Sequence, residues 1–269
     1  MAIMFVRVST IRRAAGRSAT AAAAYRSGAL IKDDRTGRVF DYRKRKGVLA
    51  TGMAGWQGKR ADLWNAAERA EKRKDAVVAR EVLIALPHEL DARQREVLIR
   101  QFAGWLHNRH GCAVDWAIHS PDPHGDARAF HAHVLITTRS VGPDGHFGAK
   151  LILFDRKPAS RAVMEELRRM WAKQAMTALQ LAGRPSKLDH RSYHRQAAGT
   201  GMEPLLPQLR LGPAATQVAR LGRPLALVAE NARRRLVNEA AFRLRLGLHQ
   251  TLRETVEAMS THEQPQRVR

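Results

Sequence analysis

The stretch FHAHVLITT, residues 130 to 138, constrains the fold most, because it has the composition of a β-strand and carries two histidines one residue apart. Side chains alternate along a strand, so His131 and His133 point to one face while Ala132, Val134 and Ile136 point to the other. Val134 and Ile136 face away from the histidines and predict a sheet face buried in a core. The histidine side predicts a face that carries out chemistry.

A third histidine ends the preceding predicted strand, AVDWAIH, residues 113 to 119. The Pro, Asp and Gly content between the two strands favours a loop, so we expect an antiparallel hairpin. If His119 lies across from His131, then Trp116 and Ile118 join the apolar face and the three imidazoles converge on the other. Cross-strand Cβ atoms lie about 5 Å apart, close enough for three nitrogens to reach one metal ion at about 2 Å.

Three neutral nitrogen ligands leave open coordination positions, which is typical of catalytic metal sites. Zn, Mn and Mg are the candidate cations, although three imidazoles are a nitrogen-rich set for Mg. Cys112 is the only cysteine, which excludes an internal disulfide framework and a zinc site built from several thiolates. The alternative is a set of incidental surface histidines, and the third histidine on the same face argues against it.

The chain carries a formal net charge of +22, from 47 basic and 25 acidic side chains. Clustered Lys and Arg gain affinity for polyphosphates by releasing counterions, so nucleic acid is the expected partner. Solvated charged helices in an Arg-rich chain are the alternative. The candidate contacts are the RKRK run at 43 to 46, three arginines near the first predicted helix (Arg12, Arg13 and Arg17) and the Arg-rich last predicted helix (Arg233, Arg234, Arg235, Arg243 and Arg245).

Apolar runs in this sequence are short. No stretch approaches the roughly 20 apolar residues that span a bilayer, and the N-terminal MAIMFVRVST has too short an apolar run for a secretory signal. The hydrophobic content of 44% is normal for a globular protein. We therefore expect a soluble cytoplasmic protein without membrane insertion.

Strand and helix patterns are mixed along the chain, which predicts an α+β fold. Ser18 is the predicted N-cap of an Ala-rich helix that Gly28 ends. The other predicted elements are a strand over 3 to 9, a hairpin of LIK and VFDY, a helix from Lys59 to about Lys74, the strand EVLIALP, a capped helix over 91 to 111, and a helix over about 160 to 181.

The chain changes character after Leu188, where Gly and Pro recur through residue 224 before a long predicted helix over roughly 229 to 259. We predict one domain over residues 1–188 and an accessory, mainly helical segment over residues 189–260. Residues 261–269 are predicted to form a disordered tail.

Several motifs occur together in a fixed order: GRSATAAAAYRSG, AREVLIALPHEL, VDWAIHSPDP followed by FHAHVLITTR, and LDHRSYHRQ with LRLGPAAT. In this combination, from residue 1 to about residue 235, the sequence resembles the MobA/MobL family of plasmid mobilization relaxases, of MobQ type. The resemblance implies the HUH-endonuclease fold, in which a central antiparallel β-sheet with flanking helices presents a metal beside a nucleophilic tyrosine. Here a helical C-terminal extension follows that fold.

The resemblance also implies roles for particular residues. It implies that His119, His131 and His133 bind a divalent metal ion, with Mg or Mn preferred and Zn possible. Tyr25, in the AAAAYR motif, is the implied nucleophile, and Glu81, in REVLIALP, matches an acidic position near the active site of the family.

One departure from the family is visible before the His-X-His motif. Many relatives have Asn-Pro there, whereas this chain has Ala129 and Phe130. The departure leaves the ligand positions in place and leaves the conformation of the preceding loop open.

A tyrosine suits strand cleavage that must be reversed. Tyr25 can displace the 3′ oxygen of a phosphodiester and keep the 5′ phosphate as a phosphotyrosine, so rejoining needs no ATP. A phenol is mostly protonated at neutral pH and needs a base, a metal or a positive field; Glu81 and a hydroxide on the metal are both candidate bases. The small alanines beside Tyr25 would let a DNA backbone approach the ring. A tyrosine packed on an amphipathic helix is the alternative, and Tyr42 and Tyr193 are the competing nucleophiles.

The expected function is a relaxase that nicks one strand at a plasmid origin of transfer, forms a 5′-phosphotyrosyl intermediate and rejoins the strand during conjugative mobilization. The expected partners are single-stranded or locally melted plasmid DNA, accessory mobilization proteins and a conjugation coupling protein. Trp56, Trp64 and Trp116 are candidate platforms for bases, although the parity of Trp116 favours the core. Two alternatives remain: a rolling-circle replication initiator or single-strand transposase, and a non-enzymatic basic DNA-binding protein.

Overall fold

A computed structural model describes residues 4–124, 126–151, 159–184, 186–209, 211 and 213–262 of this chain. The chain divides into two units, Met1–His190 and Arg191–Arg269, where the sequence analysis placed a boundary between residues 188 and 189. Of the predicted disordered tail, residues 263–269 lie outside the described residues.

The first unit is built around an antiparallel sheet with the strand order β1-β5-β7-β6-β4, to which β8 adds by pairing with β7. A separate two-stranded hairpin, β2–β3, matches the predicted LIK and VFDY pair. The strands are β1 (Val6–Arg12), β2 (Leu30–Lys32), β3 (Val39–Asp41), β4 (Val48–Ala54), β5 (Val77–Ala85), β6 (Cys112–His119), β7 (His131–Val141) and β8 (Phe147–Lys150).

The predicted β6–β7 hairpin is confirmed, with His119 directly opposite His131. This register places Trp116 and Ile118 in the core on the far side of the sheet, as the alternation requires. On the other side of β7, the neighbouring strand β5 aligns Leu83 opposite His133. The central strands therefore direct all three histidines to one face at one end of the sheet.

Helices of the first unit cover its sheet, and two of them begin at N-cap side chains that the sequence predicts. The Oγ of Ser18 accepts a hydrogen bond from the backbone N–H of Ala21 at 3.1 Å, and Gly28 ends that helix with φ 64°. Asp91 and Gln94 form a capping box at the start of the third helix. The helices are α1 (Ala19–Ser27), α2 (Arg60–Ala70), α3 (Ala92–His110), α4 (Ala159–Leu181), α5 (Tyr193–Ala197), α6 (Pro213–Arg220) and α7 (Ala226–His262).

The two faces of the sheet meet different helices. One face packs against α3 and α4 through an apolar core that includes Val134, Ile136, Phe102 and Trp171. The opposite face packs against α1 and α2 through a smaller cluster of buried residues and, at its His119 end, carries the three histidines. We call these the apolar face and the histidine face.

Two strands were absent from the sequence prediction. Strand β4 contains Gly52, whose backbone lies so close to the Trp116 ring that an added Cβ would come within 2.3 Å of it. Glycine is uncommon inside strands, and here it interrupts the alternation of apolar and polar side chains by which a strand is recognised in a sequence. Strand β8 has four residues and pairs only with the far end of β7.

The tryptophan predictions are partly wrong. Trp64 is fully buried and its Nε1 donates to the carboxylate of Asp115 at 2.8 Å, so it cannot stack on a base. Trp116 lies in the core, as its parity indicated. Among the described helices, none has the length and apolar character that crossing a membrane demands.

Candidate active site

The three histidines lie together at the end of the β6–β7 hairpin. One ring nitrogen from each of His119, His131 and His133 lies within 4.8 Å of the others. The ring centroids are 4.6 to 5.4 Å apart. This spacing suits three nitrogens that share one cation at about 2 Å each.

Each histidine uses one ring nitrogen in a hydrogen bond. Nε2 of His119 lies 2.7 Å from the carbonyl oxygen of Arg26, and Nδ1 of His131 lies 3.0 Å from that of Ala129. Nδ1 of His133 lies 2.6 Å from Oε1 of Glu81. Carbonyl and carboxylate oxygens only accept, so each imidazole donates an N–H there and keeps a lone pair on the remaining nitrogen. This arrangement fits metal ligands, whose second nitrogen is commonly held in this way.

Glu81 is an ionised carboxylate whose two oxygens are occupied. Burial by itself raises its pKa, but hydrogen bonds from His133 and Arg26 outweigh burial and bring the pKa well below its ordinary value. Arg26 forms a fork on the carboxylate, with Nε at 2.5 Å and Nη2 at 2.8 Å, and Oγ of Ser9 donates to it at 3.3 Å. A carboxylate in these contacts orients His133 and is poorly suited to collect a proton.

The site favours neutral imidazoles. Burial lowers the pKa of His119 to about 4, and the neighbouring His133, Arg45 and His131 act in the same direction. Burial likewise lowers the pKa of His131. Because only a neutral imidazole offers a lone pair, both residues are in the metal-binding form at neutral pH.

Tyr25 lies in the last turn of α1 with 45% of its surface exposed. The guanidinium of Arg45 lies over its ring, 3.7 Å from the centroid, and donates to the Tyr25 carbonyl oxygen at 2.5 Å. The Tyr42 ring packs edge-on against it with centroids 5.2 Å apart. The ring is therefore held on two sides and open to solvent. Tyr193 lies in the second unit.

Arg26 connects the helix of Tyr25 to the histidines. Its carbonyl accepts from His119, and its side chain binds the Glu81 that holds His133. The residue next to Tyr25 thus holds His119 directly, through its carbonyl oxygen, and His133 indirectly, through Glu81. Sequence reasoning missed Arg26, although it stands in the AAAAYR motif, and it assigned Arg45 only to DNA binding.

Most alanines of α1 are buried beneath the helix, whereas Ala21 and Ala22 border its open side, so the expectation that they let DNA approach stays a prediction. Ala19, Ala22, Ala23 and Ala24 are buried in the cluster beneath the helix, where small side chains let α1 lie close to the histidine face. Among them only Ala22 also borders the open side of the helix.

A basic cleft opens beside Tyr25, with a volume of about 660 Å³. Arg38, Lys72 and Lys74 line it, are exposed, and form no ion pair with any residue that the structure describes. Arg17 lines it too. Arg13 lines it as well, but its guanidinium binds Glu68 at 2.7 Å and backbone carbonyls at the end of α2, so a phosphate contact would have to share these bonds.

Comparison with known proteins decides the family. The model of the MobA/MobL family matches residues 17–220 of this chain, well over half of its length. The chain belongs to the MobA/MobL family. The central antiparallel sheet with flanking helices is accordingly the HUH fold that the motifs implied, and the helical second unit follows it.

Individual mobilization proteins are also similar in sequence to this chain. The mobilization protein MobL of Acidithiobacillus ferridurans is 39% identical over 248 residues, covering 82% of this chain and 64% of MobL. The probable mobilization protein MobA of Bifidobacterium longum is 29% identical over 266 residues, covering 82% of this chain and 45% of MobA. This chain therefore spans less than two thirds of either relative.

A solved structure from work on vancomycin resistance transfer in Staphylococcus aureus is also similar. It shares 27% identity with this chain at a TM-score of 0.62. The alignment covers 71% of this chain and all of that one. This similarity supports the fold described above for the part of the chain that the alignment covers.

The Ala129–Phe130 departure from many MobA/MobL members leaves the histidines in position. The carbonyl of Ala129 holds His131, and the carbonyl of Phe130 accepts the backbone N–H of Leu86 at 2.8 Å. The backbone N–H of Ala129 donates to the carbonyl of Asp126 at 2.9 Å. Hydrogen bonds thus fix this part of the loop without the Asn-Pro pair.

Proposed function

We propose that this MobA/MobL member is a DNA relaxase that nicks one strand at a plasmid origin of transfer and later rejoins it. The observation that carries the proposal is the link through Arg26, which joins the helix of an exposed Tyr25 to the supports of the three histidines. A structural tyrosine would be expected to bury its ring, and incidental histidines would have no shared supporting network.

His119, His131 and His133 would hold a divalent cation, with Mg or Mn preferred and Zn possible. When bound, such an ion polarises the phosphodiester and offsets the negative charge that develops on it. Glu81 and the Arg26 carbonyl keep two of the imidazoles in the tautomer that leaves a nitrogen free. Glu81 thus acts as a positioning residue rather than as the base.

Tyr25 would supply the nucleophile. Its phenolic oxygen gives up its proton and forms a bond to phosphorus, and the bond from phosphorus to the 3′ oxygen breaks. The 3′ oxygen takes up one proton and leaves as a hydroxyl, so the step releases no net proton. The product is a 5′-phosphotyrosyl enzyme with the phosphoester bond energy retained, and the 3′ hydroxyl reverses the reaction when the strand is rejoined. Arg45 and Tyr42 hold the ring for this attack.

Single-stranded or locally melted plasmid DNA is the proposed substrate, as the resemblance to HUH relaxases implies. The basic cleft lined by Arg38, Lys72 and Lys74 would hold phosphates on the Tyr25 side. Accessory mobilization proteins, a coupling protein and a cytoplasmic location stay predictions.

Family membership favours mobilization over the alternatives. A rolling-circle initiator or single-strand transposase would use the same chemistry, but two relatives are named as mobilization proteins. The hydrogen-bonded histidines argue against a non-enzymatic DNA-binding protein, which has no use for three oriented imidazoles.

A covalent adduct tests the proposal. The protein is incubated with Mn²⁺ and a single-stranded oligonucleotide from the transfer origin of its plasmid, and denaturing electrophoresis separates the protein–DNA band. We expect the band with the wild type, none with Tyr25→Phe or after EDTA treatment, and a normal band with the matched Tyr193→Phe. An undiminished band with Tyr25→Phe contradicts the assigned nucleophile. No band with any protein contradicts the activity.

A further inference from the structure

A second cavity adjoins the histidines, and the proposed cleavage chemistry does not use it. Its volume is about 450 Å³, and its walls are mainly apolar. His131 lines it and so belongs to both the cavity and the histidine cluster. The apolar walls are formed by Phe5, Leu83, Ala85, Leu86 and Phe130. We call this space the His131 pocket.

The walls of the His131 pocket are fixed in place. Arg95 is buried and lies over the Phe130 ring, 3.8 Å from its centroid, while one of its Nη atoms donates to the carbonyl of Leu90. The backbone N–H of Ala85 donates to the carbonyl of Phe5 at 3.1 Å. The pocket is therefore preformed, which limits the entropy lost when a ligand enters.

The rim of the pocket is polar. Arg128 forms a fork on the carboxylate of Asp126 at 2.8 and 2.9 Å, and His88 stands nearby. The exposed Arg128 and Asp126 and the half-buried His88 offer donors and acceptors around an apolar interior, which suits a flat, aromatic and partly polar ligand. Phe5 is 44% exposed although it is a large apolar side chain.

We propose that the His131 pocket holds a nucleobase of the single-stranded DNA, on the nucleotide beside the scissile phosphate, with Phe130 as its stacking surface. The inference rests on the proposed function, which places that phosphate at the histidines. A base attached to the adjoining sugar then lies within reach of a pocket that shares His131. The basic cleft and the pocket would bind different parts of the DNA strand. The cleft offers positive charge for phosphates, and the pocket offers an apolar aromatic wall for a base.

The test compares two ligands that differ only in their bases. Fluorescence anisotropy measures binding of the full chain to labelled single-stranded dT12 and to an abasic deoxyribose-phosphate strand of the same length, in EDTA so that no cleavage occurs. Removal of one stacking surface typically weakens binding about tenfold. We therefore expect Phe130→Ala to lose about tenfold in affinity for dT12 and nothing for the abasic strand.

Further variants separate stacking from folding. Phe130→Leu keeps an apolar side chain without a ring and should bind dT12 as weakly as Phe130→Ala, whereas Phe130→Tyr should restore the affinity. Phe147→Ala is the matched control. Phe147 is an aromatic residue of β8, lies opposite Val141 at the end of β7 that is away from the histidines, and does not line the pocket. Equal melting temperatures of the Leu and Tyr variants would show that the difference lies in binding.

The outcomes distinguish the pocket from the cleavage activity. If Phe130→Ala binds dT12 as the wild type does, or weakens both strands equally, the base-binding role is overturned even when the wild type forms the covalent adduct. If the adduct fails but the selective loss for dT12 appears, the pocket stands and the cleavage proposal falls. A change in oligomeric state on Phe130→Ala, without the selective loss, would assign the pocket to a second copy of the chain and overturn the proposal.

Discussion

The apolar face and the histidine face of the same sheet are built on different principles. Against α3 and α4, strand β7 presents Val134 and Ile136 to a core of large apolar side chains such as Phe102. Against α1 and α2, the same strands present His131 and His133, and the helices contribute charged side chains to the interior. The apolar face therefore buries the larger hydrophobic cluster, whereas the histidine face combines a smaller cluster with charged side chains and the three histidines.

Buried ion pairs on the histidine face show this division. Asp115 lies beneath α2, where burial raises its pKa, and Arg60 opposes that shift with Nε at 2.9 Å from the carboxylate. Glu68 is buried and pairs with Arg13 at 2.7 Å. Such pairs seldom stabilise a fold more than apolar residues of the same volume. Their value here is geometric, because Arg60 and Asp115 join α2 to β6, and Glu68 joins α2 to Arg13, shortly before α1 begins.

The largest expected effect is on the apolar face. Phe102→Ala removes a fully buried ring from the core and should lower the free energy of unfolding by about 3–5 kcal/mol. Urea denaturation measures this change, and calorimetric titration with Mn²⁺ under folding conditions should give an unchanged affinity. A loss of metal affinity in the folded variant would break the division between the faces.

On the histidine face, Glu81→Gln should weaken metal binding by about 10–100-fold, because loss of a supporting carboxylate disturbs the ligand that it orients. Calorimetric titration with Mn²⁺ measures the change. The matched control is Glu71→Gln, since Glu71 is also buried and paired with Arg139 at 3.0 Å but contacts none of the three histidines. Equal losses in both variants would contradict a specific role for Glu81.

The dependence of stability on pH tests the contribution of the histidine face, because His119 has a lowered pKa. The pKa of His119 falls from its ordinary 6.5 to about 4 in the folded protein, so between these values the unfolded chain binds a proton that the folded chain does not. Stability is therefore full above pH 6.5 and declines as the pH falls towards 4, by at most about 1.4 kcal/mol per pH unit for one proton.

Melting temperatures of the metal-free protein between pH 4 and 8 measure this decline. His119→Gln should flatten it, whereas His124→Gln, which changes an exposed histidine in the β6–β7 loop, should leave it as it is. A decline that persists unchanged in His119→Gln would show that other groups with lowered pKa values, His131 or the half-buried His110 beside the apolar face, govern it.

The smallest effects come from two helix caps, one on each face. Ser18→Ala and Asp91→Ala each remove an N-cap and should each cost about 1 kcal/mol of stability. Only Ser18→Ala should also slow formation of the covalent adduct, because α1 carries Tyr25 and Arg26 whereas α3 packs on the apolar face. Equal rates of adduct formation in the two variants would contradict a specific role of α1 in the reaction.

Much of the architecture follows from local rules in the sequence. The alternation around His131 and His133 predicts which side of β7 is core, and parity extends that prediction to Trp116. Ser18 and Asp91 mark helix starts because their side chains accept backbone N–H groups two or three residues later. The motif order indicates the family. These signals depend on residues that are near one another in the chain, where periodicity and capping act.

Only the tertiary structure decides how α1 meets the sheet. Arg26 and Glu81 are 55 residues apart, and their ion pair depends on the packing of alanines beneath the helix, which no local pattern encodes. The same holds for Arg45 over Tyr25 and for Phe130 beneath Arg95. Local sequence patterns indicate which residue types are candidates for the chemistry and on which face of the sheet they lie. Packing between distant segments decided which of them touch, because side-chain contacts form only after the elements have taken their places.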